Sequence, residues 1–141
     1  KEQIFKPKFS FSPSPYAKYR PNTLGSNVAE QLLKDYNGQT YWLSFSPFAF
    51  SKAENAPKWL CLSLGYSIRG KLHGYDNTYY VGNKLFTAQR EFIFSFDIDV
   101  SKLPIKKRWA RVLLSPFNMI KIPFPALIFT KDDVQGSWLY F

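Results

Sequence analysis

Two carboxylates stand two residues apart, Asp97 and Asp99, inside the run Glu91–Val100. On an extended strand that spacing puts both on one face, about 6–7 Å from each other, and Glu91 shares their parity. Such a set has the groups needed to bind a cation or to do acid–base work. It equally suits a polar interior in which each carboxylate pairs with a cation. Arg69, on the polar face of Lys58–Arg69, is the partner the sequence offers. His73 is the only histidine. With Asp76 beside it and Ser67 upstream it completes the residue types of a Ser-His-Asp triad. No G-x-S-x-G elbow accompanies them, and a lone histidine within GKLHGYD reads as an exposed loop residue. Cys61 is the single cysteine, so no intrachain disulfide is possible, and it reads as a small packed residue of a strand. One His and one Cys, far apart, do not make zinc spacing, so neither a metal nor a cofactor is expected.

The strongest basic cluster is KKRWAR, with Lys106, Lys107, Arg108 and Arg111 around Trp109. Cations interleaved with an aromatic suit an anionic membrane surface, such as lipid or lipopolysaccharide phosphates. A solvated helix face and an acidic protein partner fit the same composition. Nucleic acid is not expected, because no RNA-binding aromatic signature or phosphate-binding glycine loop is present. The terminal GSWLYF places Ser137, Leu139 and Phe141 on one face. Outer-membrane barrels commonly end in such an alternating strand with a terminal Phe.

The elements that must position these groups are mostly strands. Lys58–Arg69 alternates Leu60, Leu62, Leu64, Tyr66 and Ile68 with Trp59, Cys61, Ser63, Gly65, Ser67 and Arg69. Glu91–Val100 repeats the pattern, with Phe92, Phe94, Phe96, Ile98 and Val100 opposed to Glu91, Ile93, Ser95, Asp97 and Asp99. Five large apolar groups on one strand face fit a lipid-facing wall. They also fit one half of a soluble β-core. Gln39–Phe50 reads as a strand that Pro47 ends, bends or confines to an edge. Thr78–Phe86 reads as one strand interrupted at Gly82-Asn83. Ile120–Thr130 reads as a proline-broken stretch ending in an edge strand, and Gly136–Phe141 as a final short strand. A helix near 26–34 starts at Ser26 or Asn27, with Val28, Leu32 and Leu33 on one side. A second, basic helix near 104–115 starts at Pro104. Residues 1–21, with prolines at 7, 13, 15 and 21, read as an extended arm, and residues 22–141 as the β-rich domain.

The fold expected is therefore mainly β: an antiparallel, barrel-like sheet of about six strands with two short helices. The smallest membrane barrels need eight strands, so sequence or a chain not present here is expected to complete it. At 141 residues the chain makes one domain or part of one. Its 19% aromatic content excludes disorder and favours strands. The net charge of +9 suits acidic polymers or anionic head groups as partners. No run of about 20 apolar residues predicts a transmembrane helix, and no apolar run following Lys1 predicts a signal peptide.

Four segments in order, KDYNGQTYWLS (Lys34–Ser44), PKWLCLSLGYS (Pro57–Ser67), FSFDIDVSKL (Phe94–Leu103) and IKIPFPAL (Ile120–Leu127), carry a resemblance. With YAKYRP (Tyr16–Pro21) and LGSNVAEQLLKDY upstream, the chain from about Phe9 onward resembles the C-terminal half of the YfiM-like predicted envelope proteins, an uncharacterised Gram-negative group. The resemblance implies a location in the outer membrane or periplasm and no assigned activity. Typical members also carry an N-terminal part with a signal sequence and apolar helices, which this sequence lacks. The family supplies no catalytic residues to carry over. The expectation is a non-catalytic structural or accessory subunit of the envelope. Its partners would be membrane lipid or lipopolysaccharide, and a larger complex or the missing N-terminal half. One alternative is a soluble periplasmic β-barrel holding a lipid-like ligand among Leu60, Leu62, Leu64, Phe92, Phe94 and Phe96. Another is an enzyme acting on envelope lipid or glycan through Asp97, Asp99 or His73.

Overall fold

The structure is a computed structural model and describes residues 4–53 and 55–141. Its eight strands are β1 (Phe5–Phe11), β2 (Gln39–Phe45), β3 (Leu60–Arg69), β4 (Thr78–Val81), β5 (Lys84–Thr87), β6 (Gln89–Ile98), β7 (Phe124–Phe129) and β8 (Val134–Tyr140). Six form one sheet in the order β1-β2-β3-β6-β7-β8, each antiparallel to its neighbour, while β4 and β5 make a separate hairpin between β3 and β6. Helices α1 (Pro21–Leu24) and α2 (Val28–Lys34) lie in the β1–β2 connection, and α3 (Arg108–Leu114) lies in the β6–β7 connection.

The sheet is strongly curled. In a flat sheet β1 and β6, with two strands between them, would be about 14 Å apart, and β2 and β8 about 19 Å. Yet Lys8 Nζ of β1 lies 2.7 Å from Asp97 Oδ2 of β6, and the rings of Trp42 in β2 and Tyr140 in β8 are 5.8 Å apart. Both contacts are on the same face, so that face is the inside of the curve. Its residues are small where the strands crowd, with Ser44, Cys61, Ser63, Gly65, Ser67, Ser95 and Ala126 all buried. The bulky Leu, Phe and Tyr side chains of the same strands point outward, where a curved sheet has more room. The curl brings β1 round to the segment that feeds β7. Phe9 N–H donates to Met119 C=O at 2.8 Å and Lys121 N–H donates to Phe9 C=O at 2.9 Å, a single parallel bridge. The sheet does not close into a barrel. The outer edge of β8 has no strand against it among the described residues.

One end of the curl is covered by a small second cluster. Ala17, Leu24 and Leu72 are buried together, with Tyr16, Tyr19, Tyr36, Tyr79, Val81 and Phe86 packed around them. The β1–β2 connection and the β4–β5 hairpin thus share one core. Asn37 ties them: its side-chain amide donates to Lys71 C=O and accepts from Lys71 N–H, both at 2.8 Å. Buried Asp35 holds the turn through Ser14 Oγ, the Asn37 N–H and the Asn37 amide.

Several expectations change. The sheet has the six strands expected but does not close into a barrel, and among the described residues two further strands form a separate hairpin and there are three α-helices rather than two. Phe5–Phe11, expected in an extended arm, is a sheet strand. Thr78–Phe86 is two strands folded back at Gly82, whose φ of +59 supplies the tight turn. Ile120–Thr130 was expected to end in an edge strand, yet β7 lies inside the sheet, and β8 is the edge. Pro104 does not start the basic helix, which runs only over Arg108–Leu114. α2 starts at Asn27, whose Oδ1 accepts the Glu30 N–H at 2.9 Å while Glu30 Oε2 accepts the Ser26 N–H at 3.0 Å. Its apolar Val28, Leu32 and Leu33 are nonetheless exposed.

Gly65 stands opposite Trp42 in the β2–β3 register, and a Cβ there would lie 2.7 Å from the indole. The indole has nowhere to retreat, since its Nε1 donates to Ser10 and its ring meets Tyr140. Gly65→Val is therefore expected to destabilise the fold by about 1–3 kcal/mol, read by urea unfolding.

Candidate functional site

The two faces of the sheet are inverted relative to an ordinary soluble core. The inner face carries the charges. Lys8 Nζ bonds Asp97 Oδ2 and donates to Ile98 C=O at 2.9 Å. Ser44 Oγ donates to the same Asp97 oxygen at 2.7 Å and lies 2.6 Å from Ser63 Oγ. One layer along, Lys6 Nζ meets Asp99 Oδ1 at 2.7 Å, and Ser101 donates to that oxygen from both its N–H and its hydroxyl. Burial alone would push Asp99 up, but Lys6 and Ser101 hold its carboxyl below the usual range. At the far end Arg69 Nε and Ser67 Oγ both lie 3.0 Å from Glu91 Oε2. Lys121 is buried in the middle. It donates to Phe96 C=O at 2.7 Å and Ile122 C=O at 2.8 Å, and its ammonium lies 5.0 Å from the centre of the Trp42 ring. Desolvation lowers its pKa to about 8, against the opposing pull of Asp97. Among the described residues the one apolar cluster inside the curl is small: Trp42, Ile93, Ala126, Ile128 and Tyr140.

The outer face is apolar across the sheet, in register. Phe9, Tyr41, Tyr66, Phe92 and Phe129 form one row over five strands, every member aromatic. The next row is Pro7, Leu43, Leu64, Phe94 and Leu127, and the one beyond is Phe5, Phe45, Leu62 and Phe96. Leu60 and Ile98 complete the band. No charged residue stands in these rows, and the first beyond them is Arg90, opposite Ile68. Much of the band is open to solvent, with Leu64 62% and Phe92 61% exposed. Strands β3 and β6, at ten residues each, match the roughly 9–11 residues a tilted strand needs to cross hydrocarbon. The other sheet strands have six or seven. Between β8 and the chain following β1 opens a cavity of about 450 Å³, walled by Tyr16, Thr40, Arg69, Gln135 and Tyr140.

The residues singled out in the sequence separate. Asp97 and Asp99 do share an inward face, but Arg69 is not their partner; it pairs with Glu91, and Lys8 and Lys6 take the two aspartates. Sequence alone hid both lysines, because they sit in a proline-containing stretch read as an arm. The cue was the alternation Lys6, Lys8, Ser10 against Phe5, Phe9, Phe11. Leu60, Leu62, Leu64, Phe92, Phe94 and Phe96 all face outward. His73 lies 3.6 Å from Asp76 and stacks on Tyr79, while Ser67 is bonded to Glu91, so the three triad types are not brought together. Lys106, Lys107, Arg108, Trp109 and Arg111 are exposed on α3 and the residues before it. Burial raises the Cys61 thiol pKa, and the neighbouring Asp99 and Asp97 add to it. Among the described residues no three of His, Cys, Asp and Glu gather as a metal site requires. No family model, no curated protein and no solved structure matches the chain.

Two outcomes test the interior. Lys8→Met leaves Asp97 charged and buried, so it is expected to cost about 3–5 kcal/mol, with Asp97→Leu added to it restoring most of the loss; urea unfolding of the set decides. For Lys121, the unfolded group keeps its proton to about 10.5 and the folded one loses it near 8. Between those values the unfolded chain binds more protons, so stability rises with pH. The wild type should gain on Lys121→Met by on the order of 3 kcal/mol across that window and hold a constant difference below it.

Proposed function

We propose that this chain is a non-catalytic structural or accessory part of a bacterial outer membrane, set with its outer sheet face against lipid hydrocarbon. The observation that carries the reading is the inversion of the two faces. Ion pairs and serine hydroxyls are sequestered inside, and an uncharged apolar band is presented outside. A protein in water gains by the opposite arrangement. A wall in lipid requires this one, because every polar group must find its partner within the protein and the lipid-facing surface must be apolar. The all-aromatic row at one border of the band suits a membrane–water interface, where amphipathic rings settle.

The unpaired edge of β8 belongs to the same reading. Open sheet edges are not tolerated in hydrocarbon, so further strands, from other sequence or from another envelope chain, complete the wall there. The alternative of a soluble periplasmic barrel around a lipid-like ligand needs the six leucine and phenylalanine side chains to line a cavity. They face outward, Phe94 and Phe96 onto an open groove of about 400 Å³ shared with Leu127 and Trp138, and the interior holds ion pairs and serines around one small apolar cluster, which favours the membrane reading. An envelope enzyme would need free acids. Asp97 and Asp99 are each engaged by a lysine and a serine, which favours a structural role for them.

Reconstitution tests this. In neutral phosphatidylcholine vesicles the wild type is expected to float with lipid and resist carbonate extraction. Leu64→Arg, at mid-band, should weaken retention by about 2–4 kcal/mol, while Ser63→Ala, one residue away but facing inward, should not. A wild type that stays soluble and monomeric beside vesicles would overturn the proposal.

A further inference from the structure

The two ends of the sheet differ sharply in charge. The connections at the Leu60–Ile98 end, residues 46–59 and 99–123, carry eight basic and two acidic residues, one of the eight being Lys121, which is buried inside. Those at the opposite end, residues 12–38, 70–88 and 130–133, carry six basic and five acidic. One of the two acids at the basic end, Asp99, is buried and held by Lys6. From residue 100 to residue 131 the sequence has no carboxylate at all.

The surplus is concentrated on α3. Lys106, Lys107 and Arg108 stand at its N-terminal end, where the helix dipole disfavours cations, with no acidic residue in the first turn. None of the three has a carboxylate partner among the described ion pairs. Arg111 reaches only the Ile105 carbonyl, at 3.1 Å. Trp109, Val112 and Leu113 share the outward side of the helix at i, i+3 and i+4, each more than three-fifths exposed, and no residue of α3 is buried. A surface helix of a soluble domain turns its apolar stripe inward. This one presents its stripe and its cations together, and it lies in the connection that leaves the sheet at Ile98, which with Leu60 borders the apolar outer band.

We propose that α3 and the residues before it bind the phosphates of lipid head groups, and so fix which end of the sheet meets the anionic leaflet surface. The inference rests on the membrane reading above. The charge complementarity commits the surface to anionic lipid: the apolar stripe enters the interfacial layer while the four cations sit at phosphate depth. The aromatic row with Tyr41 and Tyr66 then marks the opposite surface.

The test compares the full chain on vesicles of phosphatidylcholine alone and of phosphatidylcholine mixed with phosphatidylglycerol. Three proteins are used: wild type, K106Q/K107Q/R108Q/R111Q, and K18Q/K34Q/K84Q/K131Q. The third removes the same charge from exposed sites at the other end. Each cation near a surface is worth roughly fivefold in binding. The wild type should therefore prefer phosphatidylglycerol by more than a hundredfold at low salt, and lose that preference as salt rises. The α3 variant should lose it and the opposite-end variant should keep most of it. With trypsin present on both sides of the bilayer, bound wild type should be cut at Lys84 and Lys131 while Lys106–Arg111 stays protected. Equal losses in both variants, or no preference in the wild type, overturn the inference. Salt-resistant insertion into both lipids alike would overturn it while sustaining the membrane reading. Salt-reversible binding to phosphatidylglycerol, with no retention in phosphatidylcholine, would sustain head-group contact and sink the hydrocarbon-facing wall.

Discussion

The curl of this sheet is what brings its most buried ion pair together. Lys8 and Asp97 belong to strands with two others between them, and they touch only because the sheet bends until its inner faces meet. Once it bends, space is short where the strands crowd, so serine, cysteine, alanine and glycine stand there beside one small apolar cluster, and most of the large side chains go outside. The charges are then buried, and burial of unpaired charge is costly, so Asp97 is matched by Lys8 while Lys121 is held by carbonyl groups. Lys6 with Asp99 and Arg69 with Glu91 repeat the solution at other levels of the same interior. Polar inside and apolar outside is thus a consequence of curvature and charge pairing together.

That arrangement constrains function more than any single residue does. The interior carboxylates are bound, the histidine is in a loop, and the one cysteine is packed. What the protein offers to its surroundings is a surface: an uncharged band some three to four rows deep, a row of aromatics along one border and a basic helix beyond the other. Surfaces of this extent on a soluble monomer are themselves a signal of contact with something apolar.

Alternation in Lys58–Arg69 and Glu91–Val100 made β3 and β6 legible in the sequence to within two residues at their ends, because a period of two is unambiguous over ten positions. It gave the two faces but not which was inside, since apolar-in and apolar-out leave the same pattern. That choice is made by the partners across the sheet. Lys6 and Lys8 were hidden for another reason. Pro7 between them reads as a strand breaker, yet β1 lies at the end of the strand order, where a residue without an N–H is tolerated. The hairpin β4–β5 was missed as two strands because Gly82-Asn83 reads equally as an interruption and as a turn. Arg69 was assigned to the wrong acid because Glu91, not Asp97, stands opposite Ser67 in the β3–β6 register, and register is set by pairing that no local pattern records.

The bridge between Phe9 and Ile120 has a consequence in time. The contacts that close the curl join the first strand to the last third of the chain; Lys8 reaches a carbonyl ninety residues away in sequence. Pairings of such long range form slowly, because loop closure must precede the contacts that reward it. During synthesis β1 must therefore wait, its lysines in water, until β6 and the segment before β7 have emerged. A nascent chain lacking them has a greasy face and an unsatisfied charged one at once, a state prone to aggregation. Such a chain is a natural client for a holding chaperone until its last strands arrive.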